Sequence, residues 1–343
     1  MFEEVETAVV ILNWNGREFL ERFLPRLVEC TQSPDIALVV ADNASSDDSV
    51  TFMQTHYPQI RLILNSENGG FAKGYNDALS QIKAKFYVLL NSDIEVTPHW
   101  VEPIIEQMKA HPEVAAAQPK LRAFHDKARF EYAGAAGGFI DYLGYPFCRG
   151  RIFDCVETDK GQYDTPCEVF WGTGAALFVR ADLYHACGGL DNDFFAHMEE
   201  IDLCWRLRNM GYKIMYYPQS VVYHIGGGTL PKSSPRKTYL NFRNNLVLLY
   251  KNLPEKQLKS VFFKRFFLDM IAAMMFLMKG ATGDFKAVFK ARRDFRRAKP
   301  LHKAKRKAIA PQACPLVYGK SIVIEYNFKK HKTFGELDPK KFS

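Results

Sequence analysis

The sequence predicts an α/β protein: a mostly parallel sheet with flanking helices, followed by a C-terminal amphipathic helical region. Three observations predict it. Between Thr7 and His111, short apolar runs rich in β-branched residues alternate with stretches of helical spacing. Polar turns that carry an aspartate, Asp42 and Asp93, close two of those runs, at the strand ends where open α/β sheets bind ligands. Finally, charge splits the chain. Residues 1–231 hold 19 Lys and Arg against 31 Asp and Glu, a net of −12, whereas residues 232–343 hold 27 against 7, a net of +20.

Thr7–Leu12 reads as a buried strand because it is continuous and β-branched. The turn Asn13-Trp14-Asn15-Gly16 leads to a helix over 17–30, with Phe19, Leu20, Phe23, Leu24 and Leu27 on one face. Ile36–Ala41 is a second strand, ended by Asp42, and Ser45 or Ser46 is the expected N-cap of the helix that follows. Arg61–Leu64 is a third strand. Asn68-Gly69-Gly70 turns into a helix over 71–82, and Phe86–Leu90 is a fourth strand closed by Asn91-Ser92-Asp93. Pro98–His111 predicts a helix with proline in its first turn, and Val114–Ala117 a strand. Residues 120–168 are Gly- and aromatic-rich without a clean period, an excursion of loops and short strands suited to shaping a binding face. Glu168–Trp171 and Ala175–Val179 are strand segments around Gly172-Thr173-Gly174, and 181–187 is a short helix. Glu199–Met210 is a helix with Glu199, Glu200 and Asp202 crowding its first turn and Gly211 as terminator. Lys213–Tyr217 and Ser220–His224 are two short strands, and Gly226-Gly227-Gly228 with Pro231–Pro235 marks a boundary.

The expected domains are therefore a globular unit over 1–231, a basic amphipathic region over 232–310 and a loosely ordered basic tail over 311–343. The apolar window 261–278 contains Lys264, Arg265 and Asp269. Each such charge costs about 2.5–3.5 kcal/mol at a bilayer centre, so an in-plane amphipathic helix against an anionic membrane surface fits better than a spanning one. With 343 residues, 47% of them apolar, the chain is long enough for a sizeable core and is not of disordered composition. No signal-peptide pattern opens it. Its seven cysteines include no C-x-x-C pair, which argues against zinc and for reduced thiols in a cytosolic setting.

The residue types at the strand ends suit nucleotide-diphosphate chemistry. A carboxylate past an early strand, Asp42, can accept hydrogen bonds from a ribose or base. Asp93 and His224 can bind a divalent cation shared with phosphate oxygens. An acid of the Glu199, Glu200, Asp202 cluster can take a proton from an acceptor hydroxyl. The helix N-terminus stabilises such a carboxylate as an anion and weakens it as a base, so desolvation has to raise its pKa again.

Seven stretches then carry a resemblance: Val9–Gly16, Val40–Asp47, Asn65–Ala72, Leu89–Asp93, Trp171–Gly174, Glu199–Arg206 and Tyr223–Gly228. In this order and spacing the sequence resembles a family 2 glycosyltransferase of the GT-A fold, rhamnosyltransferase-like. The resemblance implies a Rossmann-like nucleotide-binding sheet and inverting transfer of a sugar from a UDP- or dTDP-sugar to a hydroxyl of a glycan or lipid-linked acceptor, with Mg2+ or Mn2+. It implies donor contacts from Asn13, Asn15, Asp42, Asn68, Gly69, Gly70, Asn91, Ser92 and Asp93, metal ligation by Asp93 and His224, and acceptor contacts from Trp171, Gly172 and Arg206. Asn91 replaces the first acid of the family's D-x-D motif, and Glu200 stands where an aspartate base is usual, leaving Glu200 and Asp202 both open as the base. The implied setting is cell-surface polysaccharide synthesis, peripheral on the cytoplasmic face of the membrane. Rival readings are a sugar nucleotidyltransferase, disfavoured by the absence of a Gly- and Lys-rich triphosphate loop, an inactive nucleotide-sugar-binding relative, and a nucleic-acid-binding protein. The apolar residues interleaved with the C-terminal cations argue against nucleic acid as a partner.

Overall fold

A computed structural model describes residues 4–226 and 234–342. The first half runs β1 (Val5–Asn13), α1 (Arg17–Cys30), β2 (Ile36–Asp42), α2 (Ser49–His56), β3 (Arg61–Leu64), α3 (Gly70–Leu79), β4 (Ala84–Asn91), β5 (Ile94–Val96), α4 (Glu102–Ala110) and β6 (Val114–Ala123). Five short strands follow: β7 (Gly138–Asp141), β8 (Pro146–Cys148), β9 (Arg151–Ile152), β10 (Cys155–Val156) and β11 (Cys167–Val169). Then come β12 (Ala176–Arg180), α5 (Ala181–Ala186), α6 (Glu199–Asn209) and β13 (Lys213–His224). The C-terminal part is α7 (Pro235–Asn252), α8 (Glu255–Met278), α9 (Thr282–Ile309), β14 (Val317–Tyr318) and α10 (Ile322–Asn327).

The main sheet has nine strands in the order β3-β2-β1-β4-β12-β6-β13-β11, with β5 paired to β13. β1 lies parallel to both β2 and β4, β2 is parallel to β3, and β12 runs antiparallel between β4 and β6. Continuous apolar strands follow from burial on both faces. Val9, Ile11 and Val88 pack with Leu20, Leu24, Ile104 and Met108 on one side. Val10, Tyr87 and Leu89 pack with Tyr75, Leu79, Leu203 and Leu207 on the other. Each buried leucine contributes about 1.5–3 kcal/mol, so the sheet is a stiff platform for the loops at its strand ends.

Three local expectations are corrected. The helix after β2 begins at Ser49 rather than behind Ser45 or Ser46, because the Ser45 hydroxyl is occupied in accepting hydrogen bonds from Asn13 Nδ2 and the Asn15 amide. The two strands expected over 213–224 are one strand, carried past Tyr217 by a bulge in its pairing with β6. The tail over 311–343 is not loose: β14 adds to β7 in parallel, closing a second sheet of order β10-β9-β8-β7-β14. The rings of Phe334 and Phe342 lie 5.1 and 5.2 Å from that of Phe139. The tail's lysines are largely exposed, whereas Tyr318, Ile322 and Leu337 are buried. Its basic composition hid a buried apolar set.

The boundary expected near residue 231 lies outside the described residues, as do Gly227 and Gly228. Beyond it, α7 grips the sheet-bearing part. Asn244, fully buried, donates to the carbonyls of Phe194, Ala196 and His197, and Arg243 donates to those of Asp193 and Phe194.

Candidate active site

Strand register brings the predicted polar turns to one edge. Asn13 pairs with Asp42 across β1 and β2, and Leu12 pairs with Asn91 across β1 and β4. Asp42 and Asn91 thus flank β1, two strand spacings or roughly 10 Å apart. Asp42 is buried, and its carboxylate accepts from Asn13 Nδ2 at 3.1 Å and from the Ser45 amide at 2.9 Å. Asn13 Oδ1 is buried without a protein partner. Gly16 lets the first turn close over this corner, since a Cβ there would sit 2.4 Å from Asn13 Oδ1 and 3.5 Å from Ser92 Oγ. Asn15, in a left-handed conformation, holds the amides of Ser46 and Asp47 with its side-chain oxygen, so its side chain organises the loop.

The Asn68-Gly69-Gly70 turn meets the segment ahead of the acidic helix. Asn68 Oδ1 accepts from the Gly70 amide and from Asn43. Gly70 has φ +80°, and a Cβ there would lie 2.5 Å from the Phe195 carbonyl, so only glycine fits. The Phe71 amide donates to that same carbonyl at 2.7 Å.

Asp93 and His224 converge from β4 and β13. His224 Nε2 lies 3.1 Å from Asp93 Oδ1 and 3.5 Å from Asn91 Nδ2. Its Nδ1 lies 3.3 Å from Glu131 Oε1. Burial works against the imidazolium, but Glu131 and Asp93 outweigh it and push the His224 pKa up to about 10. Asp93 is held below the usual carboxylate range: burial opposes ionisation, and the adjacent His224 charge overcomes it. Glu131 sits in the segment without periodicity, and nothing in the sequence singled it out. Among the described residues no group of three or more His, Cys, Asp or Glu side chains forms a metal cage. Once an ion displaces the Nε2 proton that the two carboxylates favour, one carboxylate and one imidazole fit a Mn2+- or Mg2+-type ion that completes its shell with water and phosphate oxygens.

The acidic cluster divides by environment. Glu199 is buried, and burial together with the Glu200 charge raises its pKa well above normal. Glu200 is half-buried, and desolvation of its carboxyl raises its pKa to about 7. Both Oε2 atoms lack protein partners. The Ala175 carbonyl accepts from the Asn91 amide at 3.0 Å, and the neighbouring Gly174 would place a Cβ 3.6 Å from Glu200 Cβ. Glu200 therefore stands beside the end of β4. Ahead of the helix, Phe195, His197 and Met198 all have positive φ. Such non-glycine conformations cost about 1–3 kcal/mol each, and Asn244 of α7 fastens the carbonyls of this segment.

Asp202 is engaged elsewhere, contrary to the expectation that it shares the base role. Its Oδ2 accepts from Arg206 Nε and Lys251 Nζ, each at 2.8 Å, and its Oδ1 from Asn252 Nδ2 at 2.8 Å. Burial opposes its ionisation, yet Lys251 and Arg206 hold its pKa below normal. Arg206, expected at the acceptor, spends its guanidinium on Asp202 and on the carbonyls of Cys187 and Gly189. Trp171, also expected there, is a core residue whose indole donates to the Phe139 carbonyl. Gly172 is buried beneath it, against Leu177. Lys251, hidden in the sequence among apolar helix residues, also bonds Asp191, which Lys305 of α9 reaches too. Replacing Asp202 by alanine leaves Lys251 and Arg206 buried without their carboxylate. The expected loss in urea denaturation is about 3–5 kcal/mol, and Asp202→Asn, which keeps the shape, loses less.

Residues 8–167 match the model of the family described as Glycosyl transferase family 2. The chain is similar to the N-acetylglucosaminyl-diphospho-decaprenol L-rhamnosyltransferase of Mycobacterium tuberculosis (strain CDC 1551 / Oshkosh), at 26% identity over 231 residues covering 63% of this chain and 75% of the relative. It is similar to the rhamnosyltransferase WbbL of Escherichia coli (strain K12), at 26% identity over 211 residues covering 58% and 76%. Among solved structures, GalNAc-T7 with UDP, GalNAc and Mn2+ superposes with a TM-score of 0.57 at 15% identity, over 73% of this chain and 48% of that one. This chain thus spans about half the length of GalNAc-T7. Staphylococcus aureus TarS 1-349 superposes with a TM-score of 0.53 at 14% identity, over 89% and 86%. Likeness at these identities is one of fold, and the fold is GT-A.

Proposed function

We propose that this chain, whose residues 8–167 match the glycosyl transferase family 2 model and which is similar to a rhamnosyltransferase, moves a hexose such as rhamnose, with inversion, from a UDP- or dTDP-sugar to a hydroxyl of a glycan or lipid-linked glycan. The observation that carries the reading is Glu200: a carboxyl raised to about 7, with an unpartnered oxygen, standing beside the end of β4. A base with a pKa near ambient pH is matched to removing a proton from a hydroxyl. In the displacement, the acceptor oxygen attacks the anomeric carbon, its proton goes to Glu200, and the bond from that carbon to the diphosphate oxygen breaks. Asp42 and Asn13 orient the nucleoside at the β1–β2 corner. Asp93 and His224 hold a divalent ion, which when bound neutralises charge on the leaving diphosphate. Burial and the Glu200 charge raise the Glu199 pKa well above normal, which disfavours a second anion beside Glu200. The setting is cell-surface polysaccharide assembly, at the cytoplasmic side of the membrane that carries the acceptor.

Calorimetric titration of UDP and dTDP, each with Mn2+ and with EDTA, tests the donor site. Metal-dependent binding of one nucleotide is the expected result. Absence of binding for both, with the protein shown folded, removes the donor-site assignment.

A further inference from the structure

Helix α8 is built inside out. Its protein-facing side carries a buried ion pair: Arg265 is 2% exposed and Asp269 0%, with Arg292 of α9 closing the network. Its outward side carries Phe263, Phe267, Ile271, Met274, Met275 and Met278, at helical spacing on one face and 47–77% exposed. Arg265 also bonds the Leu143 carbonyl and Asn245. The exposed face is a contiguous apolar patch of the kind that marks an interaction surface.

The charge around that face selects the occupant. Between α7, α8 and α9 runs an open groove of about 1130 Å³, floored by Phe266, Met270 and Phe285 and rimmed by Arg293, Arg296 and Arg297. The exposed side of α9 adds Lys286, Lys290, Lys299 and Lys303. A second copy of the chain docked through this face would bring one cationic rim against another. An anionic bilayer offers both complements at once: acyl chains for α8 and phosphates for the guanidinium rim. Among the described residues no helix is long and apolar enough to cross a membrane.

We propose that the outward face of α8, with the α9 cation rim, docks on an anionic phospholipid bilayer, Phe267, Ile271 and Met274 entering the acyl boundary. Lys305 of α9 is ion-paired with Asp191 and Asp193, next to the segment that leads into Glu199 and Glu200. Docking therefore fixes the site's orientation to the membrane without a flexible tether. This deepens the acceptor part of the functional reading, yet vesicle binding needs no nucleotide, so the two fail separately.

The test is co-sedimentation of the full chain with vesicles of phosphatidylcholine alone and of equimolar phosphatidylcholine and phosphatidylglycerol, with light scattering for oligomeric state. Sedimentation with the anionic vesicles only is expected. Ile271→Glu with Met274→Glu, both at exposed positions, abolishes it. Arg293→Glu and Arg297→Glu each weaken it at least about fivefold, the equivalent of ~1 kcal/mol per cation. The proposal is overturned if the folded protein ignores anionic vesicles, if it binds them but the α8 substitutions leave binding unchanged, or if those substitutions instead convert a dimer to a monomer.

Discussion

Replacing Asp93 with alanine lowers sugar transfer about a thousandfold, the rate equivalent of roughly 4 kcal/mol of lost charge stabilisation, and removes metal-dependent nucleotide binding. Asp93 is the carboxylate at the end of β4, and the other group beside it that suits a cation is His224, 3.1 Å away. Loss of Asp93 strips the donor set to an imidazole, which holds a Mg2+- or Mn2+-type ion poorly. The fold survives, because Glu131 still faces His224 from the other side. Glu131→Ala gives the graded comparison. It leaves Asp93 in place but frees the His224 ring, so Mn2+ affinity falls by about 10–100-fold, read by electron paramagnetic resonance of free Mn2+. Equal Mn2+ affinity in wild type and Asp93→Ala rules out the metal site.

Glu200→Gln removes the proton acceptor while keeping size and polarity, and turnover falls by about 10²–10⁴-fold with nucleotide binding retained. In the wild type the acid limb of the kcat/KM profile lies near pH 7, because the working form is the carboxylate and the folded pKa is about 7. Below that pH the rate falls tenfold per pH unit, and in Glu200→Gln this limb disappears. The stability sign is opposite. A carboxyl whose folded pKa is raised contributes stability fully below its unfolded value, and this is lost as pH rises through about 7. Glu200→Gln is therefore more stable than wild type at pH 8 by about 1–2 kcal/mol, with the shift discounted for partial exposure. A profile unchanged in Glu200→Gln would return the base role to another group.

Period and punctuation made the N-terminal sheet legible. The Arg17–Cys30 helix and the Arg61–Leu64 strand were readable to the residue, because apolar spacing and turn residues act locally. The aspartates at strand ends were legible for the same reason. What escaped depends on partners distant in sequence. Glu131 matters through His224, and Lys251 through Asp202 and Asp191. Neither contact leaves a local trace. Arg206, Trp171 and Asp202 carry functional side-chain types in motif positions, but their partners settle them in structural contacts. The inverted side of α8 was hidden because Arg265 and Asp269, which interrupt its apolar run, are the residues turned inward.

The pairing of β14 with β7 joins Val317 to Ile140, a connection that closes only after Val317 has left the ribosome. Until then β7 is an uncovered sheet edge with Phe139 and Phe147 beside it, a template for pairing with other chains. So long a separation slows this last step relative to the local α/β units. A chain ending before Val317 keeps every residue of the proposed donor site, yet it is expected to aggregate during synthesis.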